Sequence, residues 1–211
     1  MKLILFDLDN TLVKSDMSHG IAFNKSLSKL GFKKINVKKM SKHFGKPKDG
    51  VVEALAPTKD KKILNKILYY HDMYLYEVSK KYNRKVRGVV GVLKFLKKKY
   101  KLGIVSNCKH KNILTLLKAS GLDYKLFDVI VGNDDVRRSK PFPDEIFKAE
   151  KILHMDACCI VGDSVYDVRA GKKAKVKTIS VLTGVYSRNV LKKEKPDYIL
   201  KSVVDLKKIE I

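Results

Sequence analysis

The chain opens on a short apolar run, "KLILF" (2–6), that stops abruptly at the polar stretch "DLDNT". An apolar run of that length with a polar end predicts a buried strand. From residue 15 to about 84 the pattern becomes helical. Phe23, Leu27 and Leu30 recur at helical spacing, and Ile63, Ile67, Tyr70, Tyr74 and Val78 make a second stripe. Gly31, Gly45-Lys46-Pro47, Gly50 and Pro57 predict the turns between these helices. Beyond residue 86 strands and helices alternate. A helix with Val89, Leu93 and Leu96 precedes the strand "LGIVS" (102–106), and a helix with Ile113 and Leu117 precedes "FDVIVG" (127–132). Helix 143–153 leads to "CCIVGD" (158–163), and a helix near 166–174 leads to "KTISVL" (177–182). This alternation predicts an α/β fold with a parallel sheet covered on both faces. The expected division is a core of residues 1–14 and 85–211, with an all-helical insert at 15–84.

Composition changes this picture in few places. A chain of 211 residues with 45 % apolar content has room for one core and a small insert. No run approaches the roughly 20 apolar residues of a membrane span, and the amino terminus turns acidic too soon for a signal peptide. Cys108, Cys158 and Cys159 form no CxxC pair, so they read as small hydrophobes of a reducing, cytoplasmic setting. The net charge of +24 is large, but its lysines are spread between apolar residues as on solvated helix faces. It fits attraction of small anions better than a dedicated nucleic-acid surface, because no aromatic-interleaved basic motif accompanies it.

In an open parallel sheet, ligands bind beyond the carboxyl ends of the strands. Those ends carry Asp7, Asp9 and Thr11; Ser106 and Asn107; and Asp163 and Ser164, with Asp167 four residues beyond Asp163. Lys140 sits in "SKPFPD", a loop stiffened by Pro141 and Pro143. Taken singly, each has a plain structural use as a turn residue or helix cap. Together they offer hard oxygen donors for Mg2+ and hydroxyl and ammonium donors for phosphate, the combination phosphoryl transfer requires.

"DLDNT", Ser106, Lys140 and "GDSVYD", in that order, resemble the four motifs of the haloacid dehalogenase superfamily. The insert resembles its small helical cap on a Rossmann-like core, and "VLTGVYSRN" with "PDYIL" resembles its phosphoglycolate-phosphatase-like branch. The resemblance implies a Mg2+-dependent phosphatase acting on a small phosphorylated metabolite. Asp7 would be the nucleophile, and Asp9 the general acid and base, with a carboxyl poised near working pH. Mg2+ would sit on Asp7, the Asp9 carbonyl and Asp163. Phosphate would meet Ser106, Asn107, Lys140 and Thr11, and Asp167 would hold a metal-bound water or position Lys140. The superfamily's dehalogenases lack a second aspartate at the place of Asp9.

Further candidates follow from position. His19 lies at an offset similar to that of a proton-transferring histidine in the superfamily's β-phosphoglucomutases. Lys46 and Lys48 lie in "HFGKPKDG", which resembles the loop reaching over the active site. Arg137, Arg138, Lys109 and His110 flank the motifs, and Thr183 and Gly184 read as loop-shaping. Two rival functions stay open: a phosphomutase using the same Asp7, and a nucleic-acid-binding protein or polynucleotide end phosphatase.

Overall fold

The computed structural model describes residues 1–211, the side chains of Lys48 and Asp49 excepted. Strand β1 (Lys2–Phe6) lies at the centre, with Leu3, Ile4, Leu5 and Phe6 fully buried. The chain then turns tightly. Asn10 takes a left-handed φ of 58°, a conformation asparagine tolerates better than most residues, and its N–H donates to the Val13 carbonyl. Strand β2 (Val13–Lys14) follows, then helices α1 (Asp16–Lys29), α2 (Val37–Ser41), α3 (Lys48–Leu55) and α4 (Lys61–Tyr82). Strand β3 (Arg84–Lys85) pairs antiparallel with β2, Val13 opposite Lys85 and Lys14 opposite Arg84. The chain thus leaves and re-enters the core side by side.

The alternating half comprises α5 (Val89–Leu96), β4 (Tyr100–Ser106), α6 (His110–Ser120), β5 (Val129–Gly132), α7 (Asp144–Leu153), β6 (Ala157–Gly162), α8 (Val165–Ala174), β7 (Lys177–Val181), α9 (Arg188–Lys193) and β8 (Tyr198–Leu200). Six strands form one parallel sheet in the order β5-β4-β1-β6-β7-β8. Alternate side chains of β1 enter opposite layers. Leu3 and Leu5 pack with Val105, Ile146 and Ile160, whereas Ile4 and Phe6 pack with Ile104, Leu93 and Ile113. A sheet buried on both faces needs apolar residues at every position, hence the unbroken run of β1.

The helical insert has its own cluster of Phe23, Leu27, Met40, Val52, Leu55, Leu64 and Ile67. Its detail departs from the sequence pattern. The buried face of α4 is Leu64, Ile67, His71, Leu75 and Val78, while Tyr70 and Tyr74 are only partly covered. The expected stripe is rotated because a histidine, ordinarily a polar position, occupies its middle. Gly50 lies within α3 rather than in a turn. No described helix is long and apolar enough to cross a membrane.

Candidate active site

Strand β1 lies between β4 and β6, so the carboxyl ends of these three strands converge. Asp7 follows β1, Ser106 ends β4, and Asp163 follows β6. Lys140, although charged, is 2 % exposed. Its Nζ donates to Asp7 Oδ1 at 2.7 Å, Asp167 Oδ1 at 2.6 Å and the Val105 carbonyl at 2.9 Å. Three donor protons thus meet three acceptors, the condition for burying an ammonium. Asp167 also accepts from Ser164 N–H at 3.0 Å and closes the capping box of α8, which fixes its direction.

Among the described residues Asp163 has no ammonium partner. Thr11 Oγ1 is 3.4 Å from its Oδ1, and burial together with Asp7, Asp167, Asp16 and Asp9 pushes its carboxyl well above the usual range. Burial likewise raises Asp7 to about 7 in spite of Lys140, with Asp167 and Asp9 adding to the rise. Asp7, Asp163 and Asp167 each offer an oxygen within 4.8 Å of the others. With all three ionised against one ammonium the cluster would carry a formal excess of two negative charges; that repulsion is what raises Asp7 and Asp163, and a hard dication held by oxygen would offset it. The donor set fits Mg2+. Gly184 makes room for this cluster, since a Cβ there would lie 1.6 Å from Asp163 Oδ2.

Asp9 turns away from this cluster toward the insert. His19 Nε2 lies 3.1 Å from its Oδ1, Cys108 Sγ lies 3.1 Å from its Oδ2, and Ser15 Oγ donates to Oδ1. Burial alone would raise its pKa, but His19, Ser15 and Cys108 hold it at about 2. The expected carboxyl near working pH is therefore not what this conformation holds. The three contacts hold Asp9 ionised in this conformation.

Behind His19 stands a row the sequence did not reveal. His19 Nδ1 meets His71 Nε2 at 3.1 Å with the rings stacked, and His71 Nδ1 meets Asp72 Oδ1 at 3.1 Å. Asp72 in turn accepts from Asn112 Nδ2 at 2.9 Å and pairs with Lys109 at 3.2 Å, both on or beside α6 of the core. Asn107 Nδ2 donates to the Gly45 carbonyl at 2.9 Å, and Asn10 Nδ2 to Asp16 Oδ1 at 2.6 Å. These bonds tie the insert down over a cavity of about 80 Å3, whose lining includes Asp7, Asp9, Ser106, Asn107, Lys140 and Asp163. From the insert come His19, Lys46, Phe23, Phe44, Val51 and Leu68.

Residues 4–181 match the haloacid dehalogenase-like hydrolase family. The chain belongs to that family. Among similar relatives, a phosphoglycolate phosphatase of Aquifex aeolicus is 35 % identical, covering 99 % of this chain and 96 % of its own. A pyrophosphatase PpaX of Bacillus mycoides is 29 % identical, covering 96 % and 94 %. A solved hydrolase from Pseudomonas syringae, 23 % identical, shares the fold with a TM-score of 0.85, covering 98 % and 96 %.

Against this haloacid dehalogenase-like frame, two expectations shift. Thr11, expected among the phosphate donors, is fully buried, and its hydroxyl faces Asp163 instead of the cavity. Arg138 is exposed, forks onto Asp144 and stacks over Phe142, so its work is structural. His110 pairs with Asp135, and Lys46 Nζ lies 3.2 Å from His43 Nδ1. The side chain of Lys48 lies outside the described residues. Glu145, one further buried group, is 0 % exposed at the start of α7, and burial raises it to about 8. Among the described residues its oxygens have no well-formed hydrogen bond, and burial outweighs the charge and backbone of Lys140, which pull the other way.

Proposed function

We propose that the chain is a Mg2+-dependent phosphatase that hydrolyses a small phosphorylated metabolite through an aspartyl-phosphate on Asp7. The observation that carries this reading is Asp7 itself. It is a buried carboxylate lining the cavity, with one oxygen held by Lys140 and the buried Asp163 beside it. The Asp7 carboxylate attacks phosphorus in line, and the leaving oxygen takes its proton from Asp9. Asp9 then removes a proton from water, which attacks the aspartyl-phosphate and frees Asp7 and inorganic phosphate. Lys140 offsets the repulsion between Asp7 and the incoming phosphate, and Ser106 and Asn107 bind its oxygens. Asp167 positions Lys140. Mg2+, held by Asp7, Asp163 and the Asp9 carbonyl, would stabilise charge on the transferring group.

The similar relatives named as phosphoglycolate phosphatase and pyrophosphatase support a small substrate, as does the size of the cavity. We divide the chain into a core (1–14 and 85–211) and a cap (15–84), and place it in the cytoplasm, in keeping with three cysteines that form no CxxC pair. His19 on Asp9 favours a second reading, a phosphomutase, in which a sugar hydroxyl replaces water. Phosphate release from a panel of metabolites with Mg2+, run with Asp7→Asn in parallel, tests the first. We expect turnover of one or two compounds and at least a thousandfold loss in Asp7→Asn. Equal rates would remove Asp7 as nucleophile. Faster transfer from the phospho-enzyme to a sugar phosphate than to water would favour the mutase.

A further inference from the structure

Asp9, His19 and Cys108 come from three separate elements: the turn after β1, helix α1 and the loop after β4. One carboxylate oxygen, one imidazole nitrogen and one sulfur lie within 4.8 Å of one another. In a tetrahedral zinc site, bond lengths of about 2.0–2.3 Å put neighbouring donor atoms roughly 3.4–3.6 Å apart. His19 lies 3.1 Å from Oδ1 and Cys108 3.1 Å from Oδ2 of Asp9, and with all three donor atoms within 4.8 Å only small side-chain shifts separate them from that spacing. Oxygen, nitrogen and sulfur together select a softer ion than the all-oxygen cluster of Asp7, Asp163 and Asp167 does.

The row behind His19 supplies what such a site requires. A ligating histidine is ordinarily oriented by handing its other N–H to an acceptor, which raises its basicity. Here His19 Nδ1 faces His71 Nε2, and His71 Nδ1 faces Asp72, itself bound by Asn112 and Lys109. The three contacts from Asp9 to Asp72 need three bridging protons, whereas two neutral imidazoles bring two. Where those two point toward Asp72, neither is left for the contact with Asp9. The gap between Asp9 and His19 Nε2 is then filled by one more proton, or by a cation in its place.

We propose that Asp9, His19 and Cys108 form an inhibitory site for a thiophilic divalent cation, with Zn2+ as the fitting ion. The fourth position faces the cavity and would take water or a substrate oxygen. Binding displaces the Cys108 thiol proton and the bridging proton at His19 Nε2. It also occupies the Asp9 carboxylate, so that no group remains to protonate the leaving oxygen. Only the word inhibitory rests on the phosphatase reading; the donor site does not.

The test is a Co2+ titration of the full chain in excess Mg2+, read by the thiolate-to-cobalt charge-transfer band. We expect a band that saturates at one equivalent and is bleached by Zn2+. It is absent in Cys108→Ser and kept in Cys158→Ser and Cys159→Ser. His71→Phe should weaken the apparent affinity roughly tenfold or more. In parallel, the Zn2+ concentration that halves phosphate release, measured against each variant's own zinc-free rate, should rise at least tenfold in Cys108→Ser. No band in the wild type, or a band that survives Cys108→Ser, overturns the site. A Cys108-dependent band in a chain that releases no phosphate keeps the site and removes the phosphatase.

Discussion

Lys140 illustrates how much depends on one side chain. Its ammonium is buried, meets Asp7, Asp167 and a backbone carbonyl, and is held well above the usual lysine range, the two carboxylates outweighing burial. Truncating it strands two buried carboxylates, so Lys140→Ala should cost about 3–5 kcal/mol of stability as well as activity. Urea midpoints with and without Mg2+ check this, and Mg2+ should recover part of the loss. Glu145 makes the opposite case. Its folded pKa of about 8 lies above its ordinary 4.5, so the stability due to its protonated form is present below 4.5 and lost as pH rises through 8. Thermal midpoints of Glu145→Gln should overtake the wild type across that window; parallel curves would refute it. Lys140 was legible because "SKPFPD" is an ordered piece of a four-part pattern. Glu145 and Cys108 were not, since no spacing distinguishes them from an ordinary helix acid and a packed thiol.

At the scale of elements, the strands were the most readable part. β1 coincides with the expected run, and β4, β6 and β7 begin or end within two residues of expectation, because burial on both faces demands continuous apolar sequence. Helix α4 was less so. Its buried face runs through His71, and apolar periodicity cannot register an imidazole that is buried by ring stacking and hydrogen bonds. Strand β8 and helix α9 carry too few apolar residues to stand out. Helix α8, which carries Asp167, lies close on β6 and β7. A Cβ at Gly171 would come within 2.5 Å of Thr178 Cγ2 and 2.6 Å of Ile160 Cγ2. Gly171→Ala should therefore destabilise by roughly 1–3 kcal/mol and lower kcat by tilting Asp167 and Lys140. Denaturation and steady-state kinetics on the same preparation would show both, and unchanged kcat would separate the helix from the site.

Taken whole, the molecule carries +24 with its lysines dispersed along the chain. Anionic substrates should be drawn in over long range, so kcat/KM should fall several-fold between ~0.01 and ~0.15 M salt while kcat stays level. Across that range the screening length drops from ~30 to ~8 Å. A flat kcat/KM would confine the charge to solubility. Filter retention of oligonucleotide should be small even at low salt; a steep salt slope would revive the nucleic-acid reading.

The β2–β3 ribbon has a consequence of its own. Because Val13 and Lys14 pair with Lys85 and Arg84, the two ends of the inserted segment are neighbours, and its bonds to Asn107, Lys109 and Asn112 are what a replacement would have to reproduce. Such a junction behaves as a socket. Over evolutionary time the helices could lengthen, shrink or be exchanged, and substrate preference change, while the phosphate-handling residues stay fixed on their strands. A chimera that joins a relative's helices at this ribbon should fold and inherit the donor's selectivity.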